Sequence, residues 1–488
     1  MRVIFTFLWL TTVAVTVCAQ TPTPATVNTS PSVASGRYKI RLDQPKQIIL
    51  GLGVEIQNDA IGSGNSGMPD KLESIPHDLI PTERTRLYND LLKGFRYCRL
   101  AMGLYFRGLD AEKKRVVERY PNQLNDLKEL IRESGMEGIS MEYWSCAPYW
   151  KSTNDYIGGT LKQDDDAFLA EFGNALVDDI RYMQKAGITI SMWGLQNEPG
   201  VKTVGTLKIG NAPKQSYSHC AYTPELYYKA FRVIAPKIRQ AAPKTMLMVD
   251  SWDGNSGPIA KLIQQDRQLL PLVDAWVYHR IGSNSNRIMA ESPMYQTNTF
   301  DKPVFQNEFE YQHPTHDTLC LNTAQNILNW FTFADSPTWF WLHALKPTYN
   351  AEASGYSLGF WRPEGDTDFA KNSQIKKGHW DYNNQNFNAI AGFLTYMPWN
   401  SRRYHVEEDV VRKDNRIMAF KTPEGRQVIV LTNRSGKPFQ FHLETDSKKS
   451  FAGYRYTPSA RNIALGKQRG ASLSPQVPNL AIEFWVEE

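Results

Sequence analysis

The sequence predicts an α/β chain: a (β/α)8 TIM barrel carrying a small antiparallel β-sandwich side domain built from both termini. Three observations carry this. Between Ile48 and Tyr396, short apolar runs ending in polar residues alternate with stretches of helical periodicity, and eight such units are the number that closes a parallel barrel. From about Arg402 the texture changes to short alternating runs separated by turns, which is how antiparallel strands read. No GxGxxG follows the first strand, which argues against a doubly wound nucleotide-binding sheet. At 488 residues, with 41% hydrophobic and 22% charged content, the chain is long enough for one large domain and one small one.

Taken in order, Met1 to Ala19 reads as a secretory signal peptide: Arg2, an apolar stretch from Val3 to Val17, then Val17-Cys18-Ala19 as a small-residue cleavage site. The stretch is too short for a membrane span. A secreted or periplasmic protein is expected, with a lipoprotein anchor at Cys18 as the minor alternative, since Val17 fits poorly before a modified Cys. Residues 20–36, rich in Thr, Pro and Ser, read as a linker. Residues 37–47 read as one or two edge strands of the side domain, with Tyr38, Ile40 and Leu42 alternating weakly; 48–399 is the barrel and 400–488 the C-terminal β-sandwich.

Strand one, Ile48 to Val54, runs into the polar, Gly-rich QNDAIGSGN. Helix Pro81 to Leu92 precedes strand two, Phe95 to Met102. Helix Pro121 to Ser134, with Leu124, Leu127 and Ile131 on one face, precedes strand three, Gly138 to Trp144. Helix Asp164 to Ala186 precedes strand four, Ile188 to Leu195, an almost unbroken apolar run that Pro199-Gly200 prevents from continuing. Helix Pro224 to Ala242 has Thr223 as N-cap and Pro224 at its first position. Strands five to eight follow at Thr245 to Asp250, Asp274 to His279, Pro303 to Glu308 and Thr338 to Leu342, with helices at Leu319 to Ala334 and Asn383 to Tyr396. Beyond these, RIMAFKTPEGRQVIVLTNRSG is two strands about a turn, and FQFHLE, YRYTP and AIEFWVE complete the side domain.

The net charge of +5 is small for this length, and no Lys/Arg run is interleaved with aromatics, so nucleic acid is not an expected partner. Cys98, Cys146, Cys220 and Cys320 are scattered without a CxxC or Cys/His spacing, which predicts neither a metal site nor a disulfide scaffold. No signature such as HExxH appears, and no cofactor or metal is expected.

In a parallel barrel every strand's carboxyl end faces one mouth, so the polar residues ending the strands can be pooled. They are Glu55, Gln57 and Asp59; Arg99; Glu142, Trp144 and Ser145; Asn197 and Glu198; Asp250 and Trp252; His279 and Arg280; Asn307, Glu308 and Glu310; and Trp339, Trp341 and His343. Carboxylates outnumber cations, which suits acid/base chemistry on a neutral polar ligand. Glycoside cleavage needs this set: a protonated carboxyl to donate to the leaving oxygen and an ionised one to attack the anomeric carbon. Asn197 would bond a ring hydroxyl, Arg99 would keep the nucleophile ionised, and His279 would orient either group. Aromatics such as Trp144, Trp339 and Trp341 suit stacking on sugar rings. The expected partner is a carbohydrate substrate, bound by a monomer.

The pairing of WGLQNEP on strand four with KPVFQNEF on strand seven resembles the catalytic pair of clan A glycoside hydrolases. WSCAPYWK after strand three, RLAMG on strand two and KKGHWDYNNQNFNAIAGFL before the last helix are similar to segments of glycoside hydrolase family 30. The resemblance runs from about Tyr38 to Val486. It implies Glu198 as acid/base, Glu308 as nucleophile, with Glu310 as fallback, and retention of anomeric configuration. A Glu198 that titrates above an ordinary Glu follows from the donor role. Cys146 and Ala147 stand where that family has two prolines, and QNDAIGSGN is an unusual form of its loop, so the sugar and linkage are left open. A carbohydrate-binding protein on a hydrolase-like barrel and a transglycosylase using the same residues are the alternatives.

Overall fold

In the computed structural model, which describes residues 33–56, 79–103, 106, 117–118, 122–200, 207–209, 212–214, 218–250, 257–297, 299–311, 316–347, 357–362, 364 and 374–488, the predicted barrel closes. Its strands are β1 (Gly51–Glu55), β2 (Tyr97–Met102), β3 (Gly138–Tyr143), β4 (Ile190–Gly194), β5 (Met246–Asp250), β6 (Ala275–His279), β7 (Val304–Phe309) and β8 (Thr338–Trp341), each parallel to its neighbours. Helices α1 (Pro81–Arg86), α2 (Gln123–Ser134), α3 (Asp166–Lys185), α4 (Pro224–Ala241), α5 (Gly257–Gln265), α6 (Asn286–Thr297), α7 (Asp317–Phe333) and α8 (Asn384–Tyr396) follow the strands in turn. Thr223 caps α4 by accepting from the Leu226 N–H at 3.1 Å, and Asp165 caps α3 through Phe168 at 3.0 Å. Asn122 adopts a left-handed φ of 69°, so α2 begins at Gln123 rather than Pro121. The helix expected to reach Leu92 widens after Arg86 into a π-turn, Leu87–Leu91.

The expected signal peptide, with Cys18 and the cleavage point near Ala19, lies outside the described residues, as do Gln57, Asp59 and the rest of the loop after β1, and Trp252. The linker does not extend to residue 36, because Ala34 already begins a strand, Ala34–Ile49. Nor is that strand at an edge. It lies between Ser401–Glu408, antiparallel, and Phe439–Glu444, parallel, inside a nine-stranded sheet completed by Asn415–Lys421, Gln427–Asn433, Ser450–Tyr456, Ile463–Arg469, Gln476–Val477 and Ala481–Glu487. The sheet curls over its own core of Tyr38, Ile40, Phe441, Leu431, Phe451 and Trp485.

Its other face covers the barrel. Met418, Phe420, Val428, Val430 and Phe484 belong to the same core cluster as the barrel and its helices, and Phe484 meets Phe393 of α8 edge to face at 5.2 Å. Strands Asn415–Lys421 and Gln427–Asn433 are therefore buried on both faces and lose the alternation expected of an exposed sandwich. Among the described residues, no helix is long and apolar enough to cross a membrane.

Candidate active site

Period-two alternation along the barrel strands builds the site. The barrel interior is filled by Tyr97, Met192, Met248, Ala275, Val277, Phe305 and Phe340. Gly53 completes the layer: a Cβ there would lie 2.1 Å from the Phe340 ring. Two residues further on, the same inward face carries Glu55 above Gly53, Arg99 above Tyr97, His279 above Val277 and Asn307 above Phe305. A register shift of β7 against β6 between Gln306 and Glu308 then brings Glu308 inward beside Asn307.

Arg99 is the hub and is fully buried. Its Nη1 donates to Glu308 Oε2 at 2.6 Å and to Glu55 Oε2 at 3.2 Å, and its Nη2 donates to Asn197 Oδ1 at 2.8 Å and to Glu142 Oε2 at 2.9 Å. Glu142 also accepts from Asn307 Nδ2 at 2.5 Å, which fixes the acceptor side of the hub. The guanidinium lies 4.4 Å from the Trp144 ring centroid, so one face of this expected sugar platform is already occupied by a cation.

The end of β4 is clipped to the end of β3. The Asn197 N–H donates to the Tyr143 carbonyl at 2.7 Å and Gln196 Nε2 to the Trp144 carbonyl at 2.8 Å. The turn puts Glu198 at a left-handed φ of 46°, a strain of about 1–3 kcal/mol that these clips hold in place. His279 Nδ1 lies 2.9 Å from Glu198 Oε1 and 3.6 Å from Glu308 Oε2, and the ligand atoms of the three all fall within 4.8 Å of one another. His219, which nothing in the sequence singled out, is buried beside Glu198 with its ring in hydrogen-bonding reach of the Glu198 carbonyl. Burial pushes His219 down to about 4, so it is neutral near pH 7.

The charges of this group run opposite to the expectation for Glu198. Burial alone would raise its pKa, but the hydrogen bond and charge of His279 prevail and hold it below the ordinary range. Burial raises Glu308, with the charge of Glu198 adding to the rise and His279 and Arg99 opposing it. His279 is itself raised: burial works against its charge, and the Glu308 and Glu198 carboxylates overcome burial. The two shifts favour a proton on His279 over one on Glu198.

Glu310 is separate from this group. His343 Nδ1 lies 2.5 Å from its Oε2, and burial, then the charges of Glu308 and Glu55, push its pKa far up while Lys346 opposes them.

Trp339 and Trp341 do not line the mouth. Phe340 faces the barrel interior, so its neighbours on β8 point outward; both tryptophans are fully buried against Phe309 and the helical layer, and Trp339 Nε1 donates to Asn326 of α7 at 2.9 Å. Neither leaves a ring face for a sugar. Arg280 turns away to Glu291 of α6 at 2.8 Å, and Ser145 accepts from the buried Lys151 at 2.9 Å. Trp361 and Trp380 are buried in a three-stranded sheet, His343–Pro347, Ser357–Arg362 and His379–Tyr382, beyond β8. The four described cysteines are free and buried; the Cys146 and Cys220 thiols lie in hydrogen-bonding contact where the loops after β3 and β4 meet.

No protein-family profile and no curated protein sequence matches the chain. Solved structures do. A conserved exported protein from Bacteroides fragilis is 13% identical with a TM-score of 0.71, covering 92% of this chain and 99% of that one. A GH30 endoxylanase from Clostridium papyrosolvens C71 is 17% identical with a TM-score of 0.63, covering 93% and 100%. An endo-β-1,6-glucanase is 14% identical with a TM-score of 0.63, covering 92% and 94%. Over nearly its whole length, then, the chain has the fold of the GH30 glycoside hydrolases and, more distantly, of GH51: the clan A barrel with its β-rich side domain.

Proposed function

We propose that the chain is an exported retaining β-glycoside hydrolase in which Glu308 is the nucleophile and Glu198 the acid/base. The observation that carries the reading is the convergence of these two carboxylates on one histidine, with their nearest atoms within 4.8 Å. That spacing suits the roughly 5–5.5 Å of retaining enzymes and leaves no room for the water that inverting enzymes hold between carboxyls about 6.5–9.5 Å apart. Export rests on the Met1 to Ala19 pattern.

The residues divide the reaction as follows. Arg99 holds one oxygen of Glu308 in place, and the ionised carboxylate attacks the anomeric carbon. Glu198 delivers a proton to the departing glycosidic oxygen, supplied through His279 Nδ1, 2.9 Å from Glu198 Oε1. Water then enters, Glu198 takes its proton, the hydroxide displaces Glu308 from the sugar, and the proton returns to the His279–Glu198 pair. Asn197, held by Arg99, sits beside the reacting centre to bond a ring hydroxyl. Glu310, its pKa pushed far up by burial and its carboxyl bound to His343, is poorly suited to be the nucleophile, which favours Glu308 over the fallback.

The test is a screen of β-1,6-glucan, β-1,6-galactan, xylan and aryl β-glycosides with product lengths resolved. Glu308→Gln should abolish turnover, and Glu198→Gln should cost about 10²–10⁴-fold on natural substrates. Azide should restore Glu198→Ala on an activated aryl glycoside and yield a β-glycosyl azide. Glycan binding without turnover in the wild type would reject the enzyme reading. The three atoms around His279 are also close enough together for a cation, but the Arg99 guanidinium already supplies positive charge to Glu308; a chelator should leave activity unchanged.

A further inference from the structure

We infer that Glu55 is a positioning residue that shares the Arg99 guanidinium with Glu308 and thereby keeps the nucleophile from being too strongly ionised. The inference rests on the proposed roles of Glu308 and His279.

The geometry is a chain of contacts on the inward face of β1, β2, β7 and the end of β8. Arg99 Nη1 serves two carboxylates at once, Glu308 at 2.6 Å and Glu55 at 3.2 Å. Whatever positive charge is shared with Glu55 is not available to Glu308, and a second carboxylate on the same nitrogen repels the first. Both act against ionisation of Glu308. Glu55 is 1% exposed, so its charge needs support from the protein. Arg99 gives part of that support, and His343 lies between Glu55 and Glu310, its Nε2 3.8 Å from Glu55 Oε1 and its Nδ1 2.5 Å from Glu310 Oε2. Burial raises the pKa of Glu310 and lowers that of His343, which favours the uncharged form of each.

Among the described residues, the other titratable groups near Glu308 sit elsewhere around it. Glu142 from β3 lies on the opposite amino group of Arg99, Glu198 from the turn after β4 and His279 from β6 form the proton-transfer group, His219 is neutral behind Glu198, and Lys346 lies on the far side of Glu310. Glu55 is the group that competes for the same nitrogen as the nucleophile.

The test is a titration of the Glu308 carboxyl by ¹³Cδ-glutamate NMR in the substrate-free protein, the resonance assigned by its loss in Glu308→Gln. Glu55→Gln should lower the Glu308 midpoint by about one pH unit or more, and Glu55→Leu, which removes the competing carboxylate altogether, should shift it the same way. Glu310→Gln is the control: it leaves both Arg99 Nη1 contacts in place, and the midpoint should stay within a few tenths of a unit of wild type. In kinetics, the acid limb of kcat/KM should move by the same amount and direction. A midpoint that is unmoved or raised in Glu55→Gln overturns the inference, and if that variant does not fold, an unmoved midpoint in Glu55→Leu does so. Because the NMR midpoint needs no substrate, a wild type that cleaves no glycoside would reject the hydrolase reading while leaving this measurement to stand or fall alone.

Discussion

Replacing Arg99 by Lys would keep one positive charge and lose the fork that serves four acceptors on two nitrogens. An ammonium cannot reach Glu308 and Asn197 together, and the carboxylates left without a partner are buried. We expect Arg99→Lys to cost about 3–5 kcal/mol of stability, read by denaturant titration, and to lower kcat/KM steeply at every pH. The pH profile is itself a prediction. Glu308 must be ionised and the His279–Glu198 pair must hold a proton; since the pKa values of Glu308 and His279 are both raised, both limbs of the kcat/KM bell should lie higher than an ordinary Glu and an ordinary His would put them. Glu198, Glu308, Arg99 and His279 were legible in the sequence because each is a polar residue on a barrel strand or in the turn just beyond one, and the strands open on one mouth. The resting place of the proton was not legible, because it depends on His279 lying 2.9 Å from a carboxylate 81 positions away. His219 left no signal at all, since a loop histidine reads alike whether it packs or functions.

At the scale of elements, the strand-and-helix alternation was enough to place all eight barrel strands within a few residues, because buried parallel strands read as apolar runs. What it could not give was which way each side chain points. Trp339 and Trp341 look like platforms at a strand end, yet β8 keeps its period and faces Phe340 inward. Trp339→Phe should therefore lower the melting temperature through loss of the bond to Asn326 and leave KM unchanged. The junction of β2 with the loop after β3 is tighter still. Gly103 has a φ of 81°, and a Cβ there would lie 2.0 Å from the Ser145 carbonyl oxygen. Gly103→Ala must displace that loop, and with it Trp144 on the Arg99 face; we expect a large loss of both stability and turnover, measured by thermal unfolding and by kcat/KM.

For the molecule as a whole, barrel and side sheet share one core, so they should melt together. Phe484→Ala removes a buried ring that meets Phe393 of α8, Tyr396 and Tyr456, and should cost about 3–5 kcal/mol in a single calorimetric transition covering both parts. Separate transitions would show the shared core to be energetically divided. The Ala34–Ile49 strand has a further consequence. Its partners are Ser401–Glu408 and Phe439–Glu444, and the pair Arg41–Glu407 spans 366 positions. A chain that leaves a ribosome or a translocation channel amino end first presents this strand early and its two neighbours almost last. Tyr38 and Ile40 must wait without their sheet while the entire barrel emerges, and the long-range closure comes as a late step. The middle of the side sheet is thus a late seam, and synthesis interrupted before Phe439 leaves it open.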